Sequence, residues 1–187
     1  MISDDRAWLE ASGSEESAAF VKVYDKHVRS VYRYSLHVLR NPHEAEDITQ
    51  EVFVLAWTKR RSIRLVDMSV LPWLLVTSRN LSLNRVKQLQ RYARKAMRSS
   101  DEEARPMIHP AADDDAAVRM LRAAIDEAVD DLSVTDQTLY HLCITEGLSY
   151  QQAASALGTS HGAVRNRLAR LRRSLQISLT PQREGLS

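Results

Sequence analysis

The chain has 187 residues, an ordinary globular apolar content of 44% and a formal net charge of only +2. That length allows one domain or two small ones, and the single cysteine, Cys143, excludes an intramolecular disulfide and a cysteine-rich zinc site. Only five glycines argue against repeated tight hairpins and a glycine-rich phosphate loop, and with no signal-peptide pattern and no run of about 18 apolar residues the expected location is cytoplasmic, without membrane insertion.

Strand signals are weak, and an all-α chain is expected. Residues 1–14 read as an N-terminal extension. Ser14 is positioned to cap a first long helix, in which Val21, Tyr24, Val28, Val31, Ser35 and Leu39 fall at helical spacing, ending near Asn41-Pro42. A second helix spans 44–61. Ile48, Val52 and Leu55 form its core stripe, and Asp47, Gln50, Glu51, Val54 and Thr58 share another face bordered by Phe53 and Trp57. Such a face is either a docking surface or a solvated face beside core aromatics.

A loop at 63–70 leads to a third helix, 71–97, about 40 Å long at ~1.5 Å per residue, with Pro72 in its first turn where a missing amide costs little. Asn80, Asn84, Lys87 and Arg91 follow one another at spacings of four, three and four. Between 77 and 97 there are six cations and no acid. Amides able to bond base edges, backed by cations for phosphates, suit single-stranded DNA with extruded bases; a soluble amphipathic helix is the plain alternative.

Residues 98–117 carry Pro106, Pro110 and Asp113-Asp114-Asp115 and too little apolar content to pack, and a flexible acidic linker is expected. Val118, Leu121, Ile125, Val129 and Leu132 then mark a helix, and Leu139 and Leu142 another. The segment 147–173 reads as a helix-turn-helix. Ser149 and Gln152 can form a capping box, Gly158 can end the first helix in a left-handed conformation, and Ser160 can cap the second. Val164, Leu168, Leu171 and Leu175 make the packing face of that second helix, while Asn166, Arg170 and Arg173 point away, flanked by Arg165 and Ala169. Arginine's fork matches guanine and asparagine's amide matches adenine in the major groove; a solvated basic helix is the alternative.

In this order, Glu46-Asp47-Ile48-Thr49-Gln50-Glu51-Val52-Phe53 with Ala56-Trp57, Pro72-Trp73-Leu74 with Arg79-Asn80-Leu81, and Gly147-Leu148-Ser149-Tyr150 with Val164-Arg165-Asn166-Arg167-Leu168 resemble an extracytoplasmic-function (ECF) sigma factor of bacterial RNA polymerase. The resemblance covers about 15–97 and 118–176. It implies a non-enzymatic protein of two helical domains, 15–97 and 118–178, joined by the 98–117 linker and followed by a tail at 179–187. It further implies that Asp47, Gln50, Glu51, Phe53 and Trp57 face the clamp helices of the polymerase's largest subunit. Arg64, Asn80, Asn84, Lys87 and Arg91 would meet the -10 element, with the 63–68 loop helping to form the pocket for the extruded base. Ser160, Arg165, Asn166, Ala169, Arg170 and Arg173 would meet the -35 element. The partners implied are core RNA polymerase (its second-largest subunit lying near the C-terminal domain), promoter DNA and an anti-sigma protein, with no cofactor or metal.

Two departures from the family pattern stand out. The loop reads Ile63-Arg64-Leu65-Val66-Asp67 where the family usually carries a Phe-Arg-Gly-like sequence, and Leu132-Ser133 stands where leucine-proline is common. A polymerase-independent helix-turn-helix regulator would account for 149–173 but not for the Asp47/Gln50/Glu51 face or the Asn80/Asn84 stripe; an adaptor acting through protein contacts alone would leave the basic helices without promoter preference. The six histidines show no metal-ligand spacing, and no nucleophile and base are paired.

Overall fold

The structure, a computed structural model of the chain, describes residues 4–66, 68–96, 124, 125, 127–129 and 132–184. They form helices with no strand among them, and the chain divides into two compact units, Met1–Ile108 and His109–Ser187. The all-helical, two-unit architecture expected from the sequence is therefore observed. The expected linker at 98–117 lies outside the described residues, as do Val118 and Leu121.

The first unit contains α1 (Asp4–Glu10), α2 (Glu15–Leu39), α3 (Pro42–Lys59) and α4 (Leu71–Ala96). α2 packs against the other three, and α3 packs against α4. The core between them holds Trp8, Val23, Val31, Ile48, Val52, Phe53, Val70 and Leu74. Full burial of a large apolar side chain contributes about 1.5–3 kcal/mol. α3 starts where Asn41, in an extended conformation, accepts the Glu44 N–H with its side chain and Pro42 takes the first turn. These two residues, rather than Glu44, set the helix start.

Three features of this unit differ from the sequence expectation. Residues 4–10, read as an extension, form a helix whose Asp5 and Trp8 are fully buried. Ser14 adopts a helical conformation and makes no side-chain cap hydrogen bond. Of the expected α2 stripe Val31, Ser35 and Leu39 are buried but Val21 and Tyr24 are exposed, and Val23, His27 and Tyr34 complete the buried face. Two of those buried residues are polar and find partners on other elements: His27 meets Asp5 of α1, and the Ser35 hydroxyl meets that of Ser78 on α4 at 2.8 Å. Burial without such partners would cost ~1–3 kcal/mol per group.

In the second unit, helical residues at 124–125 and 127–129 precede α5 (Val134–Tyr140), which runs on through a wider turn at His141–Thr145, closed by the Glu146 N–H on the His141 carbonyl at 2.9 Å. Ser133 caps α5 by accepting the Asp136 N–H, so the serine replaces the common proline without loss of a helix start. α6 (Tyr150–Leu157) and α7 (His161–Glu184) follow, with α7 continuing past residue 178. Among its described residues Ala124, Val129, Leu139, Leu142, Ala153, Ala154, Val164, Leu168 and Leu171 are the buried apolar side chains.

Candidate nucleic-acid interface

The α6–α7 corner is fixed by local chemistry. Ser149 accepts the Gln152 N–H while the Gln152 side chain accepts the Ser149 N–H, which completes the capping box. Gly158 turns the chain at φ 63°, where its N–H bonds back to α6 carbonyls. Ser160 accepts the Ala163 N–H at 3.1 Å and starts α7. Its oxygen is therefore engaged in the cap, leaving the hydroxyl hydrogen as its remaining donor.

From this corner α7 presents two kinds of arginine. Arg167 pairs with Asp136 of α5 at 2.7 Å, and the Arg172 guanidinium lies 5.9 Å from the Tyr150 ring centre on α6, so both hold α7 to its own unit. Arg165, Asn166, Ala169, Arg170 and Arg173 are exposed, opposite the buried Val164, Leu168 and Leu171. The small Ala169 leaves room for close approach between the longer side chains. This face carries donors in a fork geometry and no acid, the composition that phosphate neutralisation and major-groove contacts require. Cys143 is half-buried, and burial pushes its thiol pKa up, with the Arg172 charge opposing; it is not an activated nucleophile.

In the first unit the α4 stripe of Asn80, Asn84, Lys87 and Arg91 is exposed along its whole length, while Leu71, Leu74, Leu75, Ser78 and Ser82 form the buried side of the same helix. Arg85, beside the stripe, is drawn into an ion pair with Glu44 of α3. Before α4, Val66 and Ser69 exchange both backbone hydrogen bonds at 3.1 Å, Met68 sits in the left-handed region at φ 65°, and Arg64 and Met68 are exposed. Ser69 then accepts the Leu71 N–H with its side chain at the head of α4.

Asp5, which the sequence reading missed, touches this junction. Its Oδ2 accepts from the Val70 N–H at 2.8 Å, from the Ser69 hydroxyl at 3.2 Å and from His27 Nε2 at 2.8 Å, and its Oδ1 accepts from Lys26 Nζ at 2.9 Å. Burial alone would raise its pKa. The bonds from His27, Val70 and Lys26, together with the His27 charge, outweigh that and hold the carboxyl well below the usual carboxylate range. An acid in the first turn of a short N-terminal helix gives no sequence signal for this role, because all four donors lie 21 to 65 residues away.

The third surface lies on α3. Asp47, Gln50 and Glu51 are exposed, Trp57 is 36% exposed, and Phe53 is only 3% exposed. Phe53 thus supports this face from beneath rather than forming it, with its ring centre 4.7 Å from that of Tyr24 and 6.3 Å from that of Phe20. Phe20 also meets Trp57 at 5.0 Å, and the Arg60 guanidinium lies over Trp57 while pairing with Glu16 of α2. Val21 and Tyr24 of α2 and Val54 and Trp57 of α3 are the large apolar side chains left exposed here, beside the three polar ones. No cluster of three or more metal-ligating side chains occurs among the described residues, and no helix among them is long and apolar enough to cross a membrane.

The family models for Sigma-70 region 2 and Sigma-70 region 4 match residues 23–92 and 122–175, together more than half of the chain. The ECF RNA polymerase sigma factor SigL of Mycobacterium tuberculosis is 26% identical over 173 residues, covering 92% of this chain and 96% of its own. The ECF sigma factor SigE of Mycolicibacterium smegmatis is 29% identical over 172 residues, covering 91% of this chain and 65% of its own. Among solved structures, the fold is similar to that of the sigma factor RpoE from Bartonella quintana in complex with the anti-sigma factor NepR (TM-score 0.66, 22% identity, 86% of this chain and 96% of that one). It is also similar to CnrH in complex with the cytosolic domain of CnrY (TM-score 0.66, 21% identity, 95% and 97% of the two chains). With region 2 and region 4 in family order on two helical units, the chain belongs to the extracytoplasmic-function sigma factors of the sigma-70 family.

Proposed function

We propose that this protein binds core RNA polymerase and directs it to the promoters of a specific regulon, with 15–97 acting on polymerase and the -10 element, 118–178 on the -35 element, and 98–117 joining them. The observation that carries this reading is the pair of nucleic-acid-competent faces on separate units of one ECF-family chain: the exposed Asn80/Asn84/Lys87/Arg91 stripe and the exposed Arg165/Asn166/Arg170/Arg173 face. The first has the groups to hold bases extruded from an opening duplex, offsetting lost stacking with pocket contacts. The second has the groups to anchor intact duplex upstream. Asp47, Gln50, Glu51 and Trp57 dock the clamp helices, and the second-largest polymerase subunit lies near the C-terminal unit. The site of action is the cytoplasm, where polymerase works.

An anti-sigma protein is the proposed inhibitor, supported by the complexes in which the two structural neighbours are found and by the exposed Val21, Tyr24, Val54 and Trp57. The test is in vitro transcription from fragmented genomic DNA of the source organism by core polymerase with and without this protein, mapping RNA 5′ ends. New starts that share two spaced upstream motifs are expected. No new starts, with intact core and protein, would point instead to a polymerase-independent helix-turn-helix regulator.

A further inference from the structure

We propose that Asp5 is a positioning residue for strand capture, so that the short helix α1 is a working part of the promoter-opening apparatus. The inference rests on the reading of the 63–70 loop and the α4 stripe as the -10 contact, and extends it to a helix outside the family match, which begins at residue 23. Asp5 is 0% exposed and accepts four hydrogen bonds, which fill the roughly four acceptor sites of an ionised carboxylate. Two of the four come from Ser69 and Val70, the residues that close the loop and open α4.

The consequence is geometric. Ser69 pairs with Val66 across the loop and caps Leu71, while the Val70 carbonyl accepts the Leu74 N–H as α4 begins. A single carboxylate therefore ties the closing arm of the loop to the first turn of the helix that, ten residues later, presents Asn80. Loop and stripe must keep a fixed relation if one extruded base is to be held between them, because a pocket that drifts by about an ångström loses most of its selectivity. Lys26 and His27, from α2, hold the other side of the carboxylate and fix it to the body of the unit. Ionised and buried, Asp5 acts as a fixed hub between α1, α2 and the loop.

The test uses holoenzyme reconstituted from core polymerase and the full chain, and the non-template strand of a promoter mapped by run-off transcription. Two fluorescent oligonucleotides are compared, one intact and one with an abasic site at the -10 position whose base is held. Wild type should bind the intact strand more tightly. In Asp5→Asn, which keeps the shape and removes the charge, the ratio between the two should fall about tenfold, the scale of a lost hydrogen-bonded charge, while core affinity stays at the wild-type value. A purely structural role would lower the melting temperature and leave the ratio intact, and that result overturns the proposal. Ser69→Ala, which removes the hydroxyl's bonds to Asp5 and to the Leu71 N–H and leaves the Val70 N–H on the carboxylate, should lower the ratio by about threefold; should Asp5→Asn fail to fold, an unchanged ratio in Ser69→Ala overturns the proposal by itself. If wild type shows no preference for the intact strand, the -10 reading of the loop and stripe fails, and the role of Asp5 falls with it.

Discussion

Arg170 and Arg167 stand three residues apart on one helix with opposite surroundings. Arg170 is exposed on the outer face, whereas Arg167 is paired with Asp136. Arg170→Ala should weaken recognition of the upstream element by ~1–3 kcal/mol if its fork bonds a base, with the melting temperature unchanged; a preference for matched over mismatched -35 duplex, by fluorescence anisotropy, that is the same in variant and wild type would remove it from the reading set. Arg167→Ala should show the reverse, a modest stability loss with base preference retained. His37 carries a second prediction at this scale. Burial, with the Arg40 charge adding to it, pushes its pKa from 6.5 down to about 4. As pH falls below 6.5 the unfolded chain takes up a proton that the folded one refuses until about pH 4, so stability declines across that window. By pH 5 the loss is at most about 2 kcal/mol. His37→Gln should flatten the decline, read as the difference in melting temperature between pH 7.5 and pH 5. The Asp5 carboxyl acts in a different window: its stabilisation is present above the unfolded value of 3.8 and is lost only in stronger acid.

Elements whose boundaries are written in neighbouring residues were the legible ones. The capping box of Ser149 and Gln152, the left-handed Gly158 and the Ser160 cap all lie within a few residues of the groups they bond, so the helix-turn-helix could be placed from spacing. Ser149→Ala should destabilise the second unit by ~1 kcal/mol. Gly158→Ala should cost ~1–2 kcal/mol through its positive φ alone, since nothing lies within 4 Å of the added carbon. Thermal unfolding followed by circular dichroism checks both, and a neutral Gly158→Ala would mean that the turn relaxes. α1 was not legible because seven residues contain too few apolar positions for a period to show, and its burial depends on partners from α2 and the loop. The buried face of α2 was misread in part for a related reason. His27 looks like a solvent-facing residue until Asp5 arrives from elsewhere in the chain. On α3 the hydrophobic stripe was legible, but Phe53 could be assigned to core or surface only once Tyr24 and Phe20 were seen to cover it.

At the scale of the molecule, the surfaces proposed for polymerase and for upstream DNA lie on different compact units. Substitutions on one should therefore leave the function of the other intact, since sites without shared partners behave additively. Gln50→Ala with Glu51→Ala should reduce core-polymerase affinity, measured by titration, while the full chain's binding to upstream duplex stays at the wild-type level. Equal core affinity would count against the α3 face. The three tryptophans also differ in their access to water: Trp8 is fully buried, Trp73 is half-buried and Trp57 is 36% exposed. An aqueous quencher such as iodide consequently samples Trp57 before the others, and the α2/α3 surface carries its own optical reporter, one whose emission registers when a partner covers that face without any label being attached.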